Sequence, residues 1–203
     1  MPNTKRLNKY RKEKGYDAVF QGNGIDIGCG PKSNLSLSIF GGIASLSVYD
    51  QEVDPSHDAN TCEDLKDNSY DFVYSSHCLE HMHDPNIAIR NWIRICKPQG
   101  HIICAVPHEI FYEKCNWPSQ YNPDHKTSWT LEWKSNLPKS VHMPEFLYKI
   151  NEEGLAATRL CTTILDGFDF NRFSEDQTSV HNFGNGAVED IAVCHIEFIL
   201  QKM

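Results

Sequence analysis

The stretch that most narrows what this chain can become is GIDIGCGP, residues 24–31. Ile25 and Ile27 flank the acid Asp26, and the run ends in Gly28, Cys29, Gly30 and Pro31, a sequence that continues neither a strand nor a helix. A short apolar run stopped by glycines reads as a buried strand that turns sharply and carries its backbone close to a neighbour. What that neighbour is must come from the rest of the chain.

Strand-like and helical patterns alternate from there. A second apolar run, residues 43–50, ends in Asp50, and a third, residues 70–76, centres on the β-formers Phe72, Val73 and Tyr74. A short strand is expected at residues 53–57. From Asp84 the period changes: Ile87, Ala88, Asn91, Trp92 and Ile95 recur at helical spacing, Pro85 suits the first turn, and Lys97, Pro98 and Gly100 close the element. Residues 101–107 form the next strand, stopped by Pro107. Strand, helix, strand in close succession implies right-handed crossovers and a parallel sheet covered on both faces. Helical pieces are expected at residues 131–137 and 144–153, the latter stopped by Gly154. Two antiparallel strands, residues 155–164 and 190–202, follow, joined by a long loop. That loop, residues 166–189, carries Phe168, Phe170, Phe173 and Phe183 and is expected to cover an acceptor or a partner subunit.

A chain of 203 residues supports one domain with a well-filled core. Its net charge of −8 argues against a protein whose main affinity is for nucleic acid, because counterion release needs clustered cations. The one basic cluster, Lys5, Arg6, Lys9, Arg11, Lys12 and Lys14 with the single acid Glu13, reads as a solvated helix face. The eight cysteines show no CxxC pair and several sit in apolar runs, which fits buried thiols in a reducing compartment. With no signal-peptide pattern and no apolar run near the length of a membrane span, the expectation is a cytoplasmic protein without membrane insertion, its oligomeric state open.

A strand ending in Gly-x-Gly and entering a helix presents backbone N–H groups to a ligand at the carboxyl end of a parallel sheet. Asp26, two residues before Gly28, suits a cationic ligand group, and Asp50 ends its strand where a carboxylate takes both hydroxyls of a ribose. The loop lacks the GK[ST] ending of a nucleotide-triphosphate site, and Ser33 breaks GxGxxG. S-adenosylmethionine fits the description of a ligand with a ribose, a positive charge and no phosphate. DIGCGP, then Asp50, then HDAN, DNSYDFVYSSHCLEHMHDP and WIRICKPQGHIICAVPH together resemble the core of the class I S-adenosylmethionine-dependent methyltransferases, over roughly residues 22–108.

That resemblance implies an α/β, Rossmann-like fold: a mostly parallel seven-stranded sheet with helices on both faces and a C-terminal antiparallel strand pair. Within a single domain it marks residues 1–20 as a basic helical segment, 22–108 as the cofactor-binding core and 109–203 as the acceptor side with the last strands. Gly28, Cys29, Gly30 and Pro31 would pass along the methionine part of the cofactor, with Asp26 supporting its amino group. Asp50 and Gln51 would hold the ribose, Asp58 and Ala59 the adenine, and Ser75 and His77 would line the pocket beside the sulfonium. S-adenosylhomocysteine is the implied product. The chain departs from the pattern at Lys32, where many relatives carry another glycine.

The acceptor must be sought downstream. Residues 106–130 are rich in aromatics, histidines and turn residues, and resemble the PH..FY and NPDHK elements of methyltransferases associated with surface-glycan and lipopolysaccharide biosynthesis. Pro107, His108, Phe111 and Tyr112 carry the first, and Asn122, Pro123, Asp124, His125 and Lys126 the second. The resemblance implies an oxygen or nitrogen of a small polar acceptor, a sugar, nucleotide-linked or glycan-related metabolite. YSSH in place of a (D/N)PP(Y/F) tetrad argues against a nucleic-acid acceptor. Two histidines are candidate bases: His108, fixed behind Pro107, for the chemical step, and His125, from a flexible turn, for acceptor binding. His81 reads as a packed residue. No metal is expected, since His77, His81 and His83 stand at spacings of four and two with no further clustered ligand. The rival reading is a non-catalytic scaffold or sensor that keeps the cofactor fold.

Overall fold

The computed structural model describes residues 4–170 and 193–203. Its strands are β1 (Gly22–Ile27), β2 (Ile43–Tyr49), β3 (Tyr70–Ser76), β4 (Cys96–Pro107), β5 (Ser128–Thr130), β6 (Ser140–His142), β7 (Ala156–Ile164) and β8 (His195–Lys202). Its α-helices are α1 (Thr4–Glu13), α2 (Pro85–Ile95) and α3 (Met143–Glu152). The main sheet has the order β2-β1-β3-β4-β8-β7, parallel from β2 to β4 and antiparallel at β8 and β7. β5 and β6 make a separate parallel pair beside the end of β4.

Position in the sheet explains the sequence of β1. As a central strand it is covered on both faces, so Gly24, Ile25, Asp26 and Ile27 are all buried. Gly24 is there for packing, since a Cβ would fall 2.0 Å from the Phe72 ring. One face buries Ile25, Ile27, Val73, Ile102 and Phe198 beneath α2 and α3. The other buries Phe72, Tyr74 and Ile103 beneath Tyr16, Phe20, Leu35 and Phe40.

α2 begins where Asp84 caps it, its carboxylate accepting from the Asn86 N–H at 2.9 Å, with Pro85 in the first turn. Ala88, Ile89, Trp92, Ile93 and Ile95 form its buried stripe. Trp92 is fully buried and spends its indole N–H on the Ala59 carbonyl at 2.8 Å, so the helix that covers the sheet also fixes the loop after residue 58.

Four expectations are corrected. The main sheet has six strands, not seven, because residues 53–57 form a turn in which Asp54 accepts from the Ser56 N–H and hydroxyl. The glycine loop does not enter a helix; residues 31–42 run as turns held by Leu35 and Phe40 in the core. Residues 131–137 are not helical, since β5 and the turn after it occupy that place. The basic N-terminal face is only partly solvated, because Arg11 is fully buried, donating from Nε to Glu197 Oε2 at 2.9 Å and from Nη1 to the Tyr74 hydroxyl at 2.7 Å.

β4 begins at Cys96, so Lys97, Pro98 and Gly100 belong to the strand, and β5 and β6 had no counterpart in the sequence pattern. α3 ends at Gly154, whose φ of 72° is the left-handed conformation that stops a helix. In the described part of the long loop Phe168 and Phe170 stand edge-on to Phe111, with Phe170 itself exposed. Phe173, Phe183 and residues 190–192 lie outside the described residues. No helix among the described residues is long and apolar enough to cross a membrane.

Candidate functional site

A cavity of about 310 Å³ opens at the carboxyl ends of β1, β2 and β3, the edge where such sheets gather their ligands. Gly28, Asp50, Gln51, Asp58 and Ala59, all expected from the sequence, line it. Gly28 sits at φ 73°, and a Cβ there would come within 2.2 Å of Cys78 Sγ. Only glycine combines that backbone with that contact. Gly30 has φ 76° and donates its N–H to Asp50 Oδ2 at 2.8 Å, while Asp50 Oδ1 accepts from the Glu52 N–H at 2.8 Å. Asp50 therefore ties the end of β2 to the glycine loop.

Asp26 lies beneath this loop, 1 % exposed. Ser33 donates to its Oδ2 at 2.5 Å, and Oδ1 has no partner. Burial pushes the carboxyl up to about 7, although the Ser33 hydroxyl and the Arg11 charge pull the other way. Burial likewise pushes the Cys29 thiol up to about 12, helped by the charges of Asp26 and Asp50, so Cys29 is a packed thiol and not a nucleophile. Pro31 is exposed at the outer side of the loop. Asp58 is desolvated, which raises its pKa, but hydrogen bonds from Asn60 and Thr61 outweigh that and hold it below the usual range.

Ser75 and His77 do not line this cavity. Ser75 is fully buried and donates to the Ile27 carbonyl at 3.0 Å, clipping β3 to β1. His77, at φ 57°, turns toward Glu80 and away from the cleft. The opposite wall comes instead from Cys78, His81, Met82 and His83, and the floor near Asp58 from Tyr49, His57 and Asn60. His57 stacks on Tyr49 with ring centroids 4.1 Å apart, and Tyr49 donates to Asp64 at 2.5 Å. These residues were within reach of the sequence, since His57 and Asn60 flank Asp58 and the rest follow β3 directly.

The two candidate bases fare differently. His108 is 3 % exposed, its Nδ1 accepts from the Ile110 N–H at 3.1 Å, and burial lowers its pKa to about 4. His108 is thus buried, with one ring nitrogen engaged in the turn that follows Pro107. His125 sets Nδ1 2.5 Å from Glu113 Oε1, while Nε2 faces Glu80 and the ring meets His81 with centroids 4.8 Å apart. Glu113 is in turn held by the Ser119 hydroxyl at 2.5 Å. His81, whose pKa is lowered by burial, belongs both to the cleft wall and to this group. Glu80 and Glu113 escaped notice because nothing in their local sequence reveals a partner on another loop.

The buried Glu109 frames the region around β5 and β6, receiving hydroxyls from Ser128 at 3.0 Å, Ser135 at 2.5 Å and Ser140. Backbone bonds from Lys126 and Thr127 to the Glu80 carbonyl, at 2.8 and 3.2 Å, hold residues 125–127 against the end of β3.

A family model described as a methyltransferase domain matches residues 2–153. No curated protein matches the chain. Among solved structures, it is similar to a chain from the complex of the Haloferax volcanii Trm112 methyltransferase activator with a methyltransferase, at 18% identity and TM-score 0.62, covering 97% of this chain and 94% of that one. It is similar to an S-adenosylmethionine-dependent methyltransferase from Mesorhizobium loti at 12% identity and TM-score 0.59, covering 98% and 100%. It is also similar to the N-methyltransferase NodS of Bradyrhizobium japonicum in complex with S-adenosyl-L-homocysteine, at 10% identity and TM-score 0.55, covering 98% and 86%. At such identities the likeness is one of fold.

Proposed function

The chain belongs to the methyltransferase-domain family, and from that premise we propose that it moves a methyl group from S-adenosylmethionine to an oxygen or nitrogen of a small polar acceptor. The observation that carries the reading is the cleft at the ends of β1–β3, where Gly28, Asp50 and Asp58 meet above a buried carboxylate with one unpartnered oxygen. That oxygen, Asp26 Oδ1, is what a cationic ammonium would satisfy, and the Gly28–Gly30 turn leaves room for a ligand against the backbone. Asp50 is our candidate for the ribose, with Gln51 beside it, and Asp58 with Ala59 and the His57–Tyr49 stack for the adenine.

Bound there, the cofactor supplies a methyl group already activated by a sulfonium. The protein's task is then mainly alignment, which can contribute on the order of 7–11 kcal/mol. His125, oriented by Glu113 and adjoining His81 of the cleft wall, is the group we set against the acceptor. Phe111, Tyr112 and Phe168 supply an aromatic surface on the same side. Sugars and other glycan-related metabolites fit such a mixed aromatic and polar lining, and that class remains our proposal for the acceptor.

Two measurements test the reading. S-adenosylmethionine and S-adenosylhomocysteine should each raise the melting temperature by binding the native state, whereas NAD and ATP should not. Formation of S-adenosylhomocysteine with a panel of nucleotide sugars, glycans and phosphorylated metabolites should reveal the acceptor. Absence of any shift with either adenosyl compound at saturation would sink the proposal; binding without turnover on any acceptor would favour a scaffold.

A further inference from the structure

Between the cofactor cleft and the acceptor side lies a group of side chains that methyl transfer alone leaves unexplained. Glu80 is fully buried, and neither of its carboxylate oxygens has a hydrogen-bond partner. Its ion-pair partners are three imidazoles: His77 Nδ1 at 3.5 Å, His125 Nε2 at 3.8 Å and His81 Nε2 at 3.9 Å from Oε1. Donor atoms of Glu80, His81 and His125 all lie within 4.8 Å of one another. An ionised carboxylate deprived of both water and donors costs several kcal/mol, so the group must either take up a proton or meet a positive charge.

We propose that Glu80, His81 and His125 bind a divalent first-row transition-metal ion of the Zn²⁺ type. Two imidazoles and one carboxylate are a donor set that Zn²⁺ and Fe²⁺ favour, whereas Mg²⁺ and Ca²⁺ take oxygen ligands. Bonds of about 2.0–2.2 Å place tetrahedral donors roughly 3.4 Å apart, so ion binding draws the carboxylate edges of 3.8 and 3.9 Å in by about half an ångström and the widest edge of the group, up to 4.8 Å, by about 1.4 Å. The supporting shell is in place. Glu113 holds His125 by Nδ1, which leaves Nε2 turned to Glu80 with its lone pair available, the arrangement that orients metal-bound histidines elsewhere. The backbone bonds from residues 126 and 127 to the Glu80 carbonyl fix the distance between the two loops.

Nothing in the sequence pointed to a metal, because His77, His81 and His83 showed no further clustered ligand; Glu80 and a donor from a distant loop, His125, complete the group. Because His81 also lines the cofactor cleft, an ion here would hold an acceptor oxygen beside the methyl group, a role that rests on the methyltransferase reading. The metal site itself does not.

The test uses the full chain with Cys115→Ser, since Cys115 is the exposed thiol among the eight and could take up Zn²⁺ adventitiously. After chelation and dialysis, Zn²⁺ is titrated calorimetrically and Co²⁺ by its visible d–d absorption. One equivalent should bind, with intense tetrahedral Co²⁺ bands. His81→Asn and Glu80→Gln should each weaken binding by at least a hundredfold, and Glu113→Gln by roughly 10–100-fold, while His142→Ala changes nothing. His81 is partly exposed, so His81→Asn remains informative if a variant of the buried Glu80 does not fold. Lack of binding by the parent chain, or equal binding by His81→Asn, overturns the proposal. S-adenosylhomocysteine binding is measured in the same samples: its loss with metal retained refutes the cofactor reading and supports the metal site, and the converse refutes the metal site alone.

Discussion

Replacing Asp26 by Asn should make the unliganded protein more stable in mild alkali and at the same time impair cofactor binding. The carboxyl is 1 % exposed, has one hydroxyl donor and one unpartnered oxygen, and titrates near 7 against an ordinary value of 3.8. Its folded-state pKa is raised, so between about pH 4 and pH 7 the folded chain keeps a proton that the unfolded chain releases. Wild-type stability therefore declines as pH rises through that window, by an amount set by the interval from 3.8 to about 7. At about 1.36 kcal/mol per pKa unit this amounts to roughly 4 kcal/mol, fully expressed by pH 8. The Asn variant carries no such penalty but must satisfy an amide, at a cost of about 1–3 kcal/mol. Near pH 5 it should be the less stable protein, and near pH 8 the more stable. Urea melts of both proteins across pH 5 to 8 read the difference, in which every other titrating group cancels. The variant should also lose a charge-assisted bond to the cofactor's ammonium, worth about 1.5–3 kcal/mol, or roughly ten- to a hundredfold in Kd by calorimetry. A stability difference independent of pH, or unchanged affinity for S-adenosylhomocysteine, would refute this account of Asp26.

The remaining predictions are shorter. Gly28→Val should lower stability by about 1–3 kcal/mol, the range for overpacking, and Cys78→Ala in the same chain should recover part of it, because the clash is with Cys78 Sγ; denaturant titration of the single and double variants checks this. Asp50→Ala frees the Gly30 and Glu52 N–H groups, so it should lower the melting temperature of the unliganded protein and also weaken S-adenosylhomocysteine about tenfold or more by calorimetry. His125→Ala should depress kcat once an acceptor is known, whereas His108→Ala should spare the chemical step; equal kcat losses would show that His108 is not merely packed. The folded-state pKa of His108 is lowered to about 4, so the unfolded chain binds the extra proton between about pH 6.5 and 4, and His108→Ala should be less sensitive to acid in that window by circular dichroism.

Legibility in the sequence followed the range of the interactions. β1, β3 and α2 announce themselves through apolar period, glycine stops and the Asp84–Pro85 start, all local signals; Asp50 could be placed because it directly follows a strand, and Asp58 through the resemblance of HDAN to the family pattern. The seventh strand failed because residues 53–57 offered apolar Val53 but also Asp54 and Pro55, and the side chain–backbone bonds of Asp54 won. Arg11 looked solvated because its partner, Glu197, lies at the other end of the chain. Glu80, Glu113 and His125 come from three separate segments, and periodicity cannot register that they meet. Ser75 was assigned to the pocket by its place at a strand end, yet pleating turned its hydroxyl into the sheet.

The position of β8 bears on how the protein is made. It is synthesised after every other described strand, yet it lies inside the sheet, between β4 and β7, and it supplies the carboxylate that neutralises Arg11. Until it emerges from the ribosome, β4 is an open edge of buried-type residues, β7 has no strand to pair with, and a guanidinium awaits its counter-ion in the interior. The cofactor half of the chain can collapse early, but the sheet closes only after translation has passed residue 202. The nascent protein thus carries a sticky edge for much of its synthesis, and a chaperone-poor expression host should yield aggregates by templating on β4 and not by failure of the glycine loop.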